Sequence, residues 1–133
     1  MIGVEISKLL GTFTLDVAFE AGAGVTALFG RSGAGKSTLV KAIAGLVRPD
    51  RGKIQVGERV LFNSAEGVDV PAHQRRAGVV FQEGRLFPHM SVKQNLLYGF
   101  ARAPGEKALA LESVIDVLGI EPLLERRPAT LSC

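Results

Sequence analysis

Between residues 13 and 19 apolar and polar positions alternate without a break. Phe13, Leu15, Val17 and Phe19 share one face, and Thr14, Asp16 and Ala18 the other. A period of two predicts a half-buried strand, antiparallel in character. Residues 2 to 6 predict a strand before it, and Gly22 and Gly24 a turn after it. The apolar, partly β-branched run Val25 to Phe29 predicts a buried strand. From Ser37 to Leu46 the pattern changes to good helix formers with a stripe at Leu39, Ile43 and Leu46. Arg48-Pro49-Asp50-Arg51-Gly52 predicts a turn. Short strands are expected near 53–56 and 59–62, then a polar loop from 63 to 71, then a short buried strand over 77–81 with Gln82 just past it. Residues 83–90 predict a loop broken by Pro88. Ser91 is placed to cap a helix running through Leu96, Leu97 and Phe100. Ala108, Leu111, Ile115 and Leu118 predict a helix over 105–118, Pro122 a helical turn, and Pro128 a final loop. No repeat is present. Antiparallel strands followed by a helix-rich second half give an α/β domain with an antiparallel subdomain.

The junction between the run 25–29 and the following helix carries the candidate chemistry. Gly30-Arg31-Ser32-Gly33-Ala34-Gly35-Lys36-Ser37-Thr38 has the spacing of a phosphate-binding loop between a strand and a helix. A triphosphate needs several N–H donors and no side chain in their way. The three glycines let the backbone curl and approach closely. The helix starting near Lys36 aims its free N–H groups and partial positive charge at an anion. Lys36 is placed to reach the β- and γ-phosphates, Ser37 to ligate Mg2+, and Thr38 to support the α-phosphate side. All nine residues, 30 to 38, are candidate contacts to a nucleoside triphosphate.

Composition narrows the class. The chain has 133 residues, 47% of them hydrophobic, which fits one domain with a packed core. Its net charge of +3, with the basic residues dispersed, gives no footprint for nucleic acid. No apolar run approaches the roughly 18 residues of a membrane span, and the first residues lack the layout of a signal peptide. A lone cysteine, Cys133, makes no intrachain disulfide. These features predict a cytoplasmic protein in a reducing compartment.

Two further segments sharpen the reading. Residues 79 to 92 run Val-Val-Phe-Gln-Glu-Gly-Arg-Leu-Phe-Pro-His-Met-Ser-Val, and residues 126 to 132 run Arg-Arg-Pro-Ala-Thr-Leu-Ser. With the phosphate loop they resemble the ATP-binding subunits of ABC transporters across the whole chain. The stretch at Gln82 resembles that family's Q-loop, and Leu131-Ser132 the opening of its signature motif. Phe29 to Gly35, Val60 to Ser64, Phe81 to His89, Leu96 to Gly99 and Leu118 to Leu124 are most similar to molybdate importer ATPases. Sulfate, iron(III) and sugar importers remain alternatives.

The resemblance implies a P-loop NTPase core with an N-terminal antiparallel β subdomain and a helical segment. It divides the chain at 1–82, a β-rich core with the phosphate loop, and 83–133, the Q-loop and helical subdomain. It makes Gln82 a catalytic and metal-contacting residue, whose amide offers an acceptor to Mg2+ and donors to water. Segment 83–90 would receive a helix of a transmembrane permease, with Phe87 and Met90 as candidate anchors or as residues buried under the loop. A second ATP-binding subunit would complete a homodimer, placed peripherally on the inner face of the cell membrane.

The chain also departs from the family. Residues 7 to 12 hold no aromatic to stack on adenine. Phe13 is the nearest candidate, but its place in the alternation makes it a core residue. His73 and His89 read as loop histidines and Glu83 as a solvated carboxylate. Asp116 sits in a helical pattern and does not resemble the Walker B aspartate. The Walker B strand, most of the signature and the switch histidine are not in this sequence, and Cys133 stands where the family has glycine. The expectation is a truncated nucleotide-binding domain that does not turn over alone, since general-base chemistry lacks its carboxylate. The alternative is a non-catalytic nucleotide-binding module. A GTPase would need an Asn-Lys-x-Asp base reader, which is absent.

Overall fold

Strands β1 (Ile2–Leu10) and β2 (Phe13–Ala21) form an antiparallel hairpin, with Leu10 opposite Phe13 and Gly11-Thr12 between them. The predicted alternation holds along β2. Leu15 is buried and Val17 and Phe19 half-buried, while Thr14, Asp16, Ala18 and Glu20 face solvent. Phe13 departs from its expected core role and is 44% exposed. It begins an edge strand with a neighbour on one side only, so little lies over it.

The computed structural model describes residues 1–82, 84–100 and 111–131. The chain divides into two compact units, Met1–Val80 and Phe81–Cys133. In the first, β3 (Arg51–Val56), β4 (Arg59–Asn63) and the short β5 (Val68–Asp69) complete a sheet of order β2-β1-β3-β4-β5. Every pairing in it is antiparallel. β3 starts at Arg51, inside the stretch read as a turn, and β5 lies within the stretch read as a loop. Helix α1 (Lys36–Ile43) lies against this sheet. Its Leu39 and Ala42 join Val4, Ile6, Leu15, Ile54, Leu61 and Phe62 in one buried cluster. Burying side chains such as Ile54 and Phe62 contributes about 1.5–3 kcal/mol each. Leu46 falls beyond the helix and is exposed.

Two predicted strands do not form. Residues 25–29 and 77–81 lack strand pairing, and Val25, Phe29 and Val80 are almost wholly exposed. An apolar run becomes a buried strand only when neighbours take up its N–H and C=O groups. Among the described residues neither run has such a neighbour.

In the second unit, α2 (Val92–Phe100) follows the expected cap. Ser91 Oγ accepts from Gln94 N–H at 3.2 Å, and Gln94 Oε1 accepts from Ser91 N–H at 2.9 Å, a reciprocal capping box. The first amides of α2 also find acceptors, Val92 N–H at Arg126 O and Lys93 N–H at Leu124 O. Helix α3 (Leu111–Leu118) covers the later part of the helix expected over 105–118; Ala108 lies outside the described residues. Pro122 sits in a 3-10 turn (Glu121–Leu123), as expected of a helical turn. Pro128 opens a second one (Pro128–Thr130) in place of the predicted loop, at the first helical position where a missing N–H costs nothing. Among the described residues no helix is long and apolar enough to cross a membrane.

Candidate functional site

The chain leaves β2, crosses residues 22–29 and curls at 30–35 into the first turn of α1. Ala34 N–H donates to Arg31 O at 3.2 Å, closing a turn inside the loop. Gly35 is the N-cap of α1, with φ of 87° and ψ of 7°. A Cβ there would lie 2.7 Å from Leu15 Cδ1, so the bare backbone both permits the left-handed turn and lets the loop rest on β2. The sequence predicted this glycine from spacing alone. Its second reason, the contact with Leu15, comes only from the fold.

Lys36 bends back over the loop. Its Nζ donates to Gly30 O at 2.7 Å and to Arg31 O at 2.8 Å. This ties the ammonium to the mouth of the curl and holds the curl's shape. α1 has no side-chain cap and no acidic residue in its first turn. Its first N–H groups have no intrahelical acceptor, so the positive end of the helix is free to meet an anion. Residues 30–34 and Ser37 are exposed, and Gly35, Lys36 and Thr38 half-buried. The donor set fits polyphosphate: backbone amides around a curl, a lysine ammonium at its mouth and a hydroxyl at Ser37. That hydroxyl suits Mg2+ held together with phosphate oxygens.

The other end of α1 holds a residue the sequence pattern did not single out. Arg75 has a side chain only 1% exposed. Its Nη1 donates to Ala42 O at 2.9 Å and Ile43 O at 3.1 Å, and its Nε to Val70 O at 2.6 Å. Its Nη2 meets Asp69 Oδ1 at 3.1 Å. Burial lowers the guanidinium's pKa, and the Asp69 charge and hydrogen bond oppose that. Arginine stays protonated through such a shift. Arg76 takes a left-handed backbone, φ 55°, just after the 3-10 turn Ala72–Gln74.

Gln82 is exposed in a bend at the start of the second unit. Nearby the Arg85 guanidinium lies 4.5 Å from the centre of the Phe81 ring. Phe87 packs edge-on to Tyr98, with centroids 4.7 Å apart, and lies 5.9 Å from His89. Leu86, Phe87, Leu97 and Tyr98 are all partly exposed, and Met90 is half-buried. Asn95, another residue missed from sequence, clasps this segment. Its Oδ1 accepts from Phe87 N–H at 2.8 Å, and its Nδ2 donates to Phe87 O at 3.2 Å and Ser91 O at 2.9 Å. His73 is exposed beside Gln74. Asp116 is exposed on α3. Glu83, Ser132 and Cys133 lie outside the described residues.

Residues 14–133 match the family model described as ABC transporter. The chain belongs to the ABC transporter family. Relatives within this family include the molybdenum import ATP-binding protein ModC of Rhodospirillum rubrum. It is 53% identical over 133 residues, covering 99% of this chain and 36% of that protein. ModC of Mesorhizobium japonicum is 53% identical over 132 residues, covering 98% and 36%. The ABC transporter chain described here thus spans a little over a third of the length of the curated relatives it matches. Among solved structures, an ATP-binding subunit of an ABC transporter aligns with a TM-score of 0.73 at 24% identity, covering 98% of this chain and 55% of that one. A dimeric ATP-binding cassette bound to ADP and Pi aligns with a TM-score of 0.68 at 23% identity, covering 99% and 63%. At these identities the likeness establishes the fold, in agreement with the expected ABC ATPase architecture.

Proposed function

We propose that the chain binds ATP through residues 30–38 and is the N-terminal portion of an importer's ATP-binding subunit that couples ATP hydrolysis to molybdate uptake in its full-length form. The observation that carries the reading is the curl at 30–35 held by Lys36 at the uncapped start of α1. The molybdate assignment rests on relatives about half identical that are named for molybdenum import.

In this reading Gly30, Arg31, Ser32, Gly33 and Ala34 wrap the phosphates, and Gly35, Lys36, Ser37 and Thr38 present the helix amides. Lys36 exchanges carbonyl partners for phosphate oxygens. Mg2+, when bound, would offset the charge of the phosphates. Ser37 and Gln82 are the residues that would hold it, and Gln82 would also orient water. Residues 1–82 act as the nucleotide-binding core and 83–133 as the Q-loop and helical part. The exposed Leu86, Phe87, Leu97 and Tyr98 suit an adaptable contact with a permease helix across 83–90. A second subunit completes the ATP site, and the assembly sits on the inner face of the membrane. Phe13, exposed at the start of β2, becomes available to stack on adenine.

Titration with a fluorescent ATP analogue tests the core of this. Removing a charged hydrogen-bond partner forfeits about 1.5–3 kcal/mol, so Lys36→Ala should weaken binding about tenfold or more. Equal affinity for both proteins would overturn the assignment. In the same samples phosphate release should stay at background, because no Asp-Glu pair occurs in this sequence to polarise water. Release that disappears in Lys36→Ala would show that the chain turns over by itself.

A further inference from the structure

Arg75 touches nothing in the phosphate loop, yet every group it holds bears on how that loop is carried. α1 is eight residues long, a rod of about 12 Å, so its two ends move as one body. At the first end Gly35 rests on Leu15. At the far end the helix closes with Gly45 N–H on Ala42 O and Leu46 N–H on Lys41 O, the reciprocal pattern of a left-handed glycine stop. Neither bond uses Ile43 O, and Arg75 Nη1 meets it together with Ala42 O. Nε and Nη2 tie the same guanidinium to Val70 and Asp69, on the edge of the sheet.

We propose that Arg75 is a positioning residue for phosphate binding, fixing the far end of α1 against the sheet and thereby setting where the loop's amides point. This rests on the reading of residues 30–38 as the ATP site. Two further observations support it. A Cβ on Gly45 would lie 2.6 Å from Arg75 Nε and 3.0 Å from its Cδ and Cζ, so the helix stop is shaped around this side chain. A cation at the carbonyl end of a helix also complements its dipole, whose opposite end faces the anion. Lysine in this position would keep the charge, but one ammonium cannot span acceptors on both the helix and the sheet edge.

The test compares Arg75→Lys and Gly45→Ala with Ile54→Val and Ile54→Ala. The Ile54 variants destabilise the sheet core and remove none of these hydrogen bonds. Calorimetry on the full chain, well below each melting temperature, gives Kd for ATP and for inorganic tripolyphosphate. Arg75→Lys and Gly45→Ala should raise both Kd values by about tenfold, while the Ile54 variants stay within about twofold at a similar loss of melting temperature. If Arg75→Lys does not fold, Asp69→Asn, which keeps the guanidinium but removes its counter-charge, should shift both Kd values the same way by a smaller factor. Affinities that follow melting temperature alike in both groups would overturn the positioning role, as would a tripolyphosphate Kd that does not move. If Lys36→Ala lowers affinity and the Arg75, Gly45 and Asp69 variants do not, the positioning role alone fails. If Lys36→Ala leaves affinity unchanged, the ATP site itself fails and this role with it.

Discussion

A single carboxylate, Asp50, ties the end of β1 to the turn that follows α1. It accepts from Lys8 Nζ and from Leu9 N–H, both at 2.7 Å. The Lys8 hydrogen bond, and then the Leu9 amide, hold its pKa below the ordinary 3.8. A depressed carboxylate contributes stability above its unfolded pKa and loses it as pH falls through the lower folded value. The wild type should therefore melt higher than Asp50→Asn near neutral pH, and the gap should close as pH drops below about 4. Melting curves from pH 7 to 3 measure this; a gap that does not change with pH would count against it. Asp50, Arg75 and Asn95 share one reason for being missed in the sequence. Each acts through partners fixed only by folding, and for Arg75 these include carbonyls more than thirty positions away. The candidate phosphate loop could be proposed from sequence because all its parts sit within nine consecutive residues, where spacing alone sets geometry.

Among the elements, β2 was readable from its alternation, β1, β3 and β4 as short strands around it, and α2 from Ser91 as its cap. The runs at 25–29 and 77–81 were misread because apolar composition reports only an appetite for burial. Whether a strand forms depends on neighbours that composition does not supply. The approach to α2 shows the reverse case, an irregular segment with a definite shape. One side-chain amide substitutes for a peptide unit, giving and accepting hydrogen bonds at Phe87 and reaching Ser91 O. Asn95→Asp would turn donors into lone pairs facing carbonyls, and Asn95→Ala would remove the clasp. Either should cost about 1–3 kcal/mol and speed hydrogen exchange at the Phe87 amide. Unchanged exchange at that amide in both variants would refute the clasp.

At the scale of the whole molecule, residues 14–133 carry the ABC family pattern, and the molybdate proposal rests on relatives of which this chain spans a little over a third. The substrate is therefore a question for the full-length protein. Cells carrying that protein should accumulate labelled molybdate, and Lys36→Ala should abolish the uptake. Equal accumulation in both, or uptake of sulfate instead, would redirect the substrate assignment.

β1 has one neighbour, β2, that it meets across a tight turn, and another, β3, that it meets only after the chain has run out through residues 22–50 and back. The first pairing is local and fast. The second must close a long loop before any contact rewards it. That loop contains residues 30–38, so the proposed phosphate-binding segment is assembled late in folding and is the first to be lost when β3 lets go. Nucleotide should accordingly act as a brake on unfolding rather than as a spur to collapse.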